Sequence, residues 1–203
     1  MKTLKNDLTC EFATHEDDVK RIAGYLHLTD PYIYPTICKN CEDPDFVSLI
    51  GSCMKSAGNL YHTDHLITVK KAGVPVGIAC VIPCGKTFVF SEGLTVPAAI
   101  QSGIELAEKG YFQPLLEENL DFEGYNVVNF CVDANLRGQG VGSLLMSFLL
   151  EQYGRSPIHL DVVASNTAAI GLYKKFGFVI QKEYEGFSGS DQLLPCYHML
   201  RKV

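Results

Sequence analysis

Seven consecutive residues, Arg137-Gly138-Gln139-Gly140-Val141-Gly142-Ser143, carry the strongest chemical signal in the chain. They follow a β-rich run, 127–132, and they open a segment in which Val141, Leu144, Leu145, Phe148 and Leu149 recur at helical spacing. Glycines let a backbone approach a ligand closely, and the unbonded amides of a helix's first turn, with its dipole, suit a pyrophosphate. The plainer alternative is that the glycines serve only a tight turn. A P-loop is excluded because no Gly-Lys-Ser/Thr follows. A dinucleotide fingerprint nearly fits Gly138, Gly140 and Asp161, but residues 133–136 separate the glycines from the strand, Ser143 takes the third small position, and Asp161 falls mid-strand.

A second segment, Asn166-Thr167-Ala168-Ala169-Ile170-Gly171-Leu172-Tyr173-Lys174-Lys175-Phe176-Gly177-Phe178, follows the next β-rich run, 158–163. Ser165 or Asn166 is expected to cap a short helix that buries Ala169, Leu172 and Phe176, with Gly177 ending it in a left-handed conformation. Tyr173 has two readings. A phenol of pKa near 10 can protonate a departing thiolate, or the ring completes the apolar face with Leu172 and Phe176.

Together the two segments resemble the GNAT superfamily of N-acetyltransferases, in which R-G-x-G-x-G after a strand and N-x-x-A-x-x-L-Y-x-x-x-G-F after the next strand occur in this order. The match is close over 127–180, and one departure is Ala134, where many members have proline. The resemblance implies acetyl-coenzyme A as cosubstrate. It further implies that backbone groups of Phe130 and Val132 pair with the pantetheine arm and polarise the thioester carbonyl. Arg137, Gly138, Gln139, Gly140, Val141, Gly142 and Ser143 would hold the pyrophosphate, Asn166 would meet the pantetheine, Ala169 would let the cofactor pack on the helix, and Tyr173 would face the sulfur. The implied fold is α/β: one GNAT-like domain over 1–203, with a mixed central sheet of six or seven strands flanked by helices and two parallel strands splayed apart.

The remaining elements must position those groups. Leu8, Cys10 and Phe12 alternate as in a strand, and Thr14 with Asp17 resembles a capping box opening a helix that buries Val19, Ile22, Ala23 and Leu26. Residues 27–45, rich in Pro, Asp, Asn and Tyr, read as irregular, with a short helix from about 46 to 58 after them. Runs 66–70 and 76–82 predict a hairpin turning at Gly73. Residues 83–123 read as a helical insertion over the acceptor site, and strands are expected at 178–184 and 196–201.

At 203 residues with 47% hydrophobic and 20% charged content, the chain can bury a substantial core and is not of disordered composition. A formal charge of -6 without Lys/Arg clusters argues against nucleic acid, and no apolar run reaches membrane-spanning or signal-peptide length, so a cytoplasmic protein is expected. The eight cysteines read as reduced thiols, with Cys80, Cys131 and Cys196 inside strand-like runs. Cys38, Cys41, His62 and His65 miss zinc-finger spacing, so no metal site is expected. The predicted reaction is N-acetylation of a primary amine on a small molecule or peptide, against the alternative of a non-catalytic acyl-coenzyme A sensor or scaffold. No general base stands out among Glu123, His159, Asp161 and His65, Tyr32 and Tyr34 are candidate acceptor contacts, and a homodimer is left open.

Overall fold

A computed structural model describes residues 7–29, 34–38, 42–86, 88, 93–109, 122–188 and 192–203. Thirteen elements organise them: β1 (Leu8–Phe12), α1 (Val19–Thr29), α2 (Tyr34–Ile37), α3 (Pro44–Lys55), β2 (Leu66–Lys71), β3 (Val74–Pro83), α4 (Gln101–Ala107), β4 (Tyr125–Val132), α5 (Val141–Tyr153), β5 (Ile158–Val163), α6 (Thr167–Lys175), β6 (Val179–Ser188) and β7 (Gln192–Arg201). The strands form one seven-stranded sheet in the order β1-β2-β3-β4-β5-β7-β6. Only β4 and β5 run parallel; every other neighbouring pair is antiparallel. The mixed sheet flanked by helices is the expected architecture.

The near-continuous apolar run of β3 follows from burial on both faces. Ile78, Cys80 and Ile82 join α1, α2, α3 and α4 in one core, whereas Ala79 and Val81 join α5 and α6 in the other. The alternation breaks where β3 meets β4. A register shift between Cys80 and Val81 pairs them with Asn129 and Val127 of β4, leaving Val128 as the bulged residue. Val128 and Asn129 therefore both turn toward the α1 side, where Val128 packs on the first core and Asn129 bonds Thr29.

Several elements differ from the sequence reading. Thr14 and Asp17 do close on each other, with the Thr14 amide donating to Asp17 Oδ2 at 2.7 Å, but this turn precedes the helix. Asp18 caps α1 instead, accepting from the Arg21 amide at 3.1 Å, because Asp17 is drawn to Lys70 of β2 at 2.5 Å. Within 27–45 the described residues are less irregular than expected: α1 runs on to Thr29 and Tyr34–Ile37 make a helical turn. Within 83–123 the described residues contain one helix, α4, which sits on α2; Gly110, Pro114, Glu117, Glu118 and Asp121 lie outside the described residues, as do Tyr32 and Cys41. On α6 the buried pair is Ile170 and Tyr173, with Ala169, Leu172 and Phe176 partly covered.

Candidate active site

β4 and β5 pair only through Tyr125↔Ile158, Asn126↔His159 and Val127↔Leu160. Both strands continue, but β4 stays with β3 as far as Val132 and β5 stays with β7 as far as Val163, so the two part after Val127 and leave a V-shaped cleft. The bulge at Val128, which adds local twist, sits where the parting begins. From Val127 to Val132 the cleft edge is about 16 Å long at strand rise. The Asp133 amide donates to the Val76 carbonyl of β3 at 2.9 Å. Backbone direction alternates along a strand, so the amides and carbonyls of Val132 and Phe130 turn the other way, into the cleft.

The far end of that edge meets the glycine loop. Asp133 caps a 3-10 turn, Ala134–Leu136, by accepting from the Asn135 amide at 2.9 Å, and the chain then reaches α5 through Arg137–Gly140. Gly138 and Gly140 have φ of +72° and +88°, and a Cβ at either would meet no atom within 4 Å. Backbone conformation, not space, therefore requires glycine there. The first helical bond runs from the Leu144 amide to the Gly140 carbonyl at 2.9 Å. Among the described residues, the amides of Gly138, Gly140, Val141, Gly142 and Ser143 have no protein acceptor. Five donors at the positive end of a 13-residue helix suit an anion.

Two side chains of the motif brace the loop itself. Gln139 Nε2 donates to the Asn135 carbonyl at 2.8 Å, and Arg137 Nε approaches the Val132 carbonyl at 3.4 Å. Gly142 explains how the parts close up: a Cβ there would lie 3.3 Å from Leu172 Cδ2 and 3.8 Å from both Phe130 and Val132 side chains. Its bare Cα thus seats the first turn of α5 against α6 and β4 together.

Tyr173 is 6% exposed, with its ring edge-on to Phe130 at 6.0 Å and tilted against Phe178 at 5.9 Å. Burial first, and then the neighbouring Cys131 thiol, push its pKa well above the ordinary phenol value, so the hydroxyl stays protonated. Asn166 is the helix cap, its Oδ1 accepting from the Ala169 amide at 3.2 Å, and Ala169 lies one turn before Tyr173 on the same side. The fold thus gathers the glycine loop, Phe130, Val132, Ala169 and Tyr173 around one cleft.

The Acetyltransferase (GNAT) family model matches residues 37–178. The chain belongs to the GNAT acetyltransferase family. In sequence, this GNAT protein is 30% identical over 96 residues to the [ribosomal protein bS18]-alanine N-acetyltransferase of Escherichia coli (strain K12), covering 46% of this chain and 62% of that protein. The chain spans 20% and 62% of the lengths of two curated relatives that it matches. An N-acetyltransferase from Staphylococcus aureus Mu50 superposes over 95% of this chain and 99% of its own with a TM-score of 0.63 at 18% identity. A GNAT family acetyltransferase from Elizabethkingia anophelis with acetyl-CoA bound does so over 98% and 99% with a TM-score of 0.54 at 14% identity. At these identities the structural likeness speaks to the GNAT fold.

The remaining candidates separate clearly. Tyr34 is buried in the first core and bonded to Tyr61, which removes it from an acceptor surface. His65 Nδ1 lies 3.0 Å from the Asn59 carbonyl, and burial lowers its pKa. His62 caps a 3-10 turn by accepting from the Asp64 amide at 3.3 Å. Two groups beside the cleft escaped the sequence reading. Asn129 is the first, a polar residue inside the apolar run Val-Val-Asn-Phe-Cys-Val, and that anomaly was its signal. His198 is the second; it faces Asp161 only through the β5/β7 register and left no local trace.

Proposed function

We propose that this GNAT protein is an N-acetyltransferase that moves an acetyl group from acetyl-coenzyme A to a primary amine. The observation that carries the reading is the cleft between β4 and β5, which ends at the amides of Gly138, Gly140, Val141, Gly142 and Ser143, unbonded among the described residues. Bound coenzyme supplies the acyl group as an activated thioester; the chain's residues do the rest. The loop amides hold the pyrophosphate, and the cleft-facing backbone of Phe130 and Val132 bonds the pantetheine arm as a neighbouring strand would. The same amides draw charge toward the thioester oxygen. Asn166 and Ala169 flank the arm on the α6 side.

Tyr173 stands at the sulfur. Its pKa is held above its usual value, and an ordinary thiol has a pKa of about 8.5. Complete transfer of the phenolic proton to sulfur is then uphill, so Tyr173 acts as a hydrogen-bond donor to the departing thiolate. Positioning of amine against thioester within one cleft supplies much of the rate.

The acceptor enters from the α1 side of the sheet, opposite Tyr173. The E. coli relative, by its name, acetylates an alanine of a ribosomal protein, which supports a peptide amine among the acceptors to test. We read 1–203 as one domain with its cofactor-binding core at 127–180 and 83–123 as an insertion. Free thiols at Cys10, Cys80, Cys84 and Cys131 suit a reducing, cytoplasmic setting.

The test is release of free thiol from acetyl-coenzyme A against peptides, polyamines and aminoglycosides. Amine-dependent release supports the reading. Tight coenzyme binding without release from any amine would instead favour a sensor, and no binding would remove both.

A further inference from the structure

Beside the vertex of the cleft, three side chains from two strands form a hydrogen-bonded chain. His198 Nδ1 lies 3.1 Å from Asp161 Oδ1, His198 Nε2 lies 3.1 Å from His159 Nδ1, and His159 Nε2 lies 3.1 Å from the Glu123 carbonyl. Phe122 lies flat on His159 at 4.5 Å and 9°, and on His198 at 5.0 Å and 26°. The aromatic cover shields the inner links from water.

Counting protons along this chain gives a definite answer. The Glu123 carbonyl can only accept, so His159 carries its hydrogen on Nε2 and, when neutral, presents Nδ1 as an acceptor. His198 must then donate from Nε2. A neutral His198 would turn a lone pair from Nδ1 toward the Asp161 carboxylate, so the third link forms only if that nitrogen is protonated as well. All three bonds exist together when His198 is an imidazolium; remove one proton and one link opens. Burial, and then the neighbouring His198, hold His159 below its ordinary pKa. The other described charged group on this stretch of the face is Lys182 of β6, in register with His198 and exposed over the Tyr184 ring at 5.6 Å. Asn126 of β4 and Leu200 of β7, the register neighbours of His159, carry no charge.

The chain is also placed where a proton must be removed. Asp161 is the first residue of β5 beyond the last pair with β4, and its side chain is 27% exposed against 13% for His198. Ile158, Leu160 and Val162 point to the core that holds Tyr173, so Asp161 and His159 point to the opposite side, from which the amine enters. We propose that Asp161, His198 and His159 form a proton relay for the incoming amine: the receiving form has a neutral His198 with its link to Asp161 open, Asp161 takes an N–H of the acceptor ammonium, and the proton passes on to His198 Nδ1, closing the third link.

This rests on the acyl-transfer reading above. An ammonium gives up two protons as its nitrogen bonds the acetyl carbon and the carbon–sulfur bond breaks. One ends on the coenzyme thiol; the relay takes the other and returns it to water, so atoms and charge balance.

Two measurements test the relay. In histidine 15N spectra of the wild-type protein, His159 should keep its hydrogen on Nε2 and show a hydrogen-bond coupling to His198, and D161N should move the ring signals of both histidines. No coupling between the two rings, or ring signals unmoved by D161N, would overturn the proposal without any activity assay. In kinetics, His198→Gln should lower kcat about 10- to 100-fold near neutral pH, with partial recovery as rising pH deprotonates the amine, and with coenzyme affinity and thermal midpoint near wild type. Wild-type pH profiles in folded H198Q and D161N would overturn it. Absence of thiol release by the wild-type protein with every amine would remove the acyl-transfer reading and the relay together.

Discussion

Asn129 Nδ2 donates to Thr29 Oγ1 at 2.7 Å, and Thr29 in turn donates to the Leu26 carbonyl at 2.6 Å. The hydroxyl proton is thereby committed to α1, which fixes the Asn129 amide with its nitrogen toward Thr29 and leaves Oδ1 buried without a donor among the described residues. The last turn of α1 and the bulge of β4 are thus tied by one polar link. Thr29→Val should cost about 1–3 kcal/mol, because the amide is then left with no partner at either end. Adding Asn129→Leu should recover part of that loss, since removing both partners removes the desolvation debt. Urea unfolding of the two single variants and the double variant measures the coupling; additive losses would contradict the link.

Lys70 is 8% exposed and meets Asp17 at 2.5 Å and Glu11 at 2.7 Å. Burial opposes its charge, but the hydrogen bonds it donates to Asp17 and Glu11 outweigh this and hold its pKa above the ordinary lysine value. A raised folded pKa means stability that is complete below the unfolded value, about 10.4, and lost as pH climbs through the folded value. Lys70→Met leaves the Asp17 carboxylate, 5% exposed, without its cation, and should cost about 3–5 kcal/mol. Stability curves at pH 7 to 11 should show extra alkaline loss in the wild type that K70M lacks.

Gly124 stands just before the parallel pair, with φ of +94° and the Pro157 carbonyl oxygen 2.1 Å from where a Cβ would lie. Backbone cannot give way cheaply there, since the Tyr125 amide donates to that same carbonyl at 3.0 Å. Gly124→Ala should lower the thermal midpoint by several degrees, corresponding to about 2 kcal/mol or more from strain and displaced packing. A midpoint within a degree of wild type would show that the cleft vertex is softer than its geometry implies.

Gly140→Ala isolates the loop. No atom obstructs the new methyl, so the penalty is the left-handed backbone alone, about 1–2 kcal/mol. Relaxing that φ would turn the first-turn amides, and coenzyme A affinity by calorimetry should fall at least about tenfold, the equivalent of about 1.4 kcal/mol. Unchanged affinity would mean that these amides do not hold the pyrophosphate.

Tyr173→Phe keeps the edge-on contact with Phe130 and deletes the hydroxyl. On the proposed role, kcat should fall about 10- to 100-fold with coenzyme affinity unchanged. Because burial and Cys131 raise the phenol's pKa, the ratio of wild-type to variant kcat should stay flat between pH 6 and 10. A fall in that ratio within the window would mean that the phenol ionises where the structure says it does not.

Local features carried most of the fold into the sequence. The run 127–132, the helical spacing from Val141 to Leu149 and the Asn166 cap each sit within one element, and each formed where its own residues directed. Boundaries failed where a distant partner intervened. Asp17 could not cap α1 because Lys70 claims it, and Tyr34 left its Pro-rich neighbourhood for the core because Tyr61 gives its hydroxyl a buried partner.

Glycine spacing and helix periodicity, both properties of contiguous residues, determined by themselves that a strand would lead through a glycine loop to bare helical amides. Only the tertiary structure decided what stands opposite that loop. Parting of β4 from β5, the meeting of His198 with Asp161 across 37 positions and the stranded oxygen of Asn129 all depend on strand register, and register is chosen by the competition of whole faces for burial, which no short stretch of sequence contains.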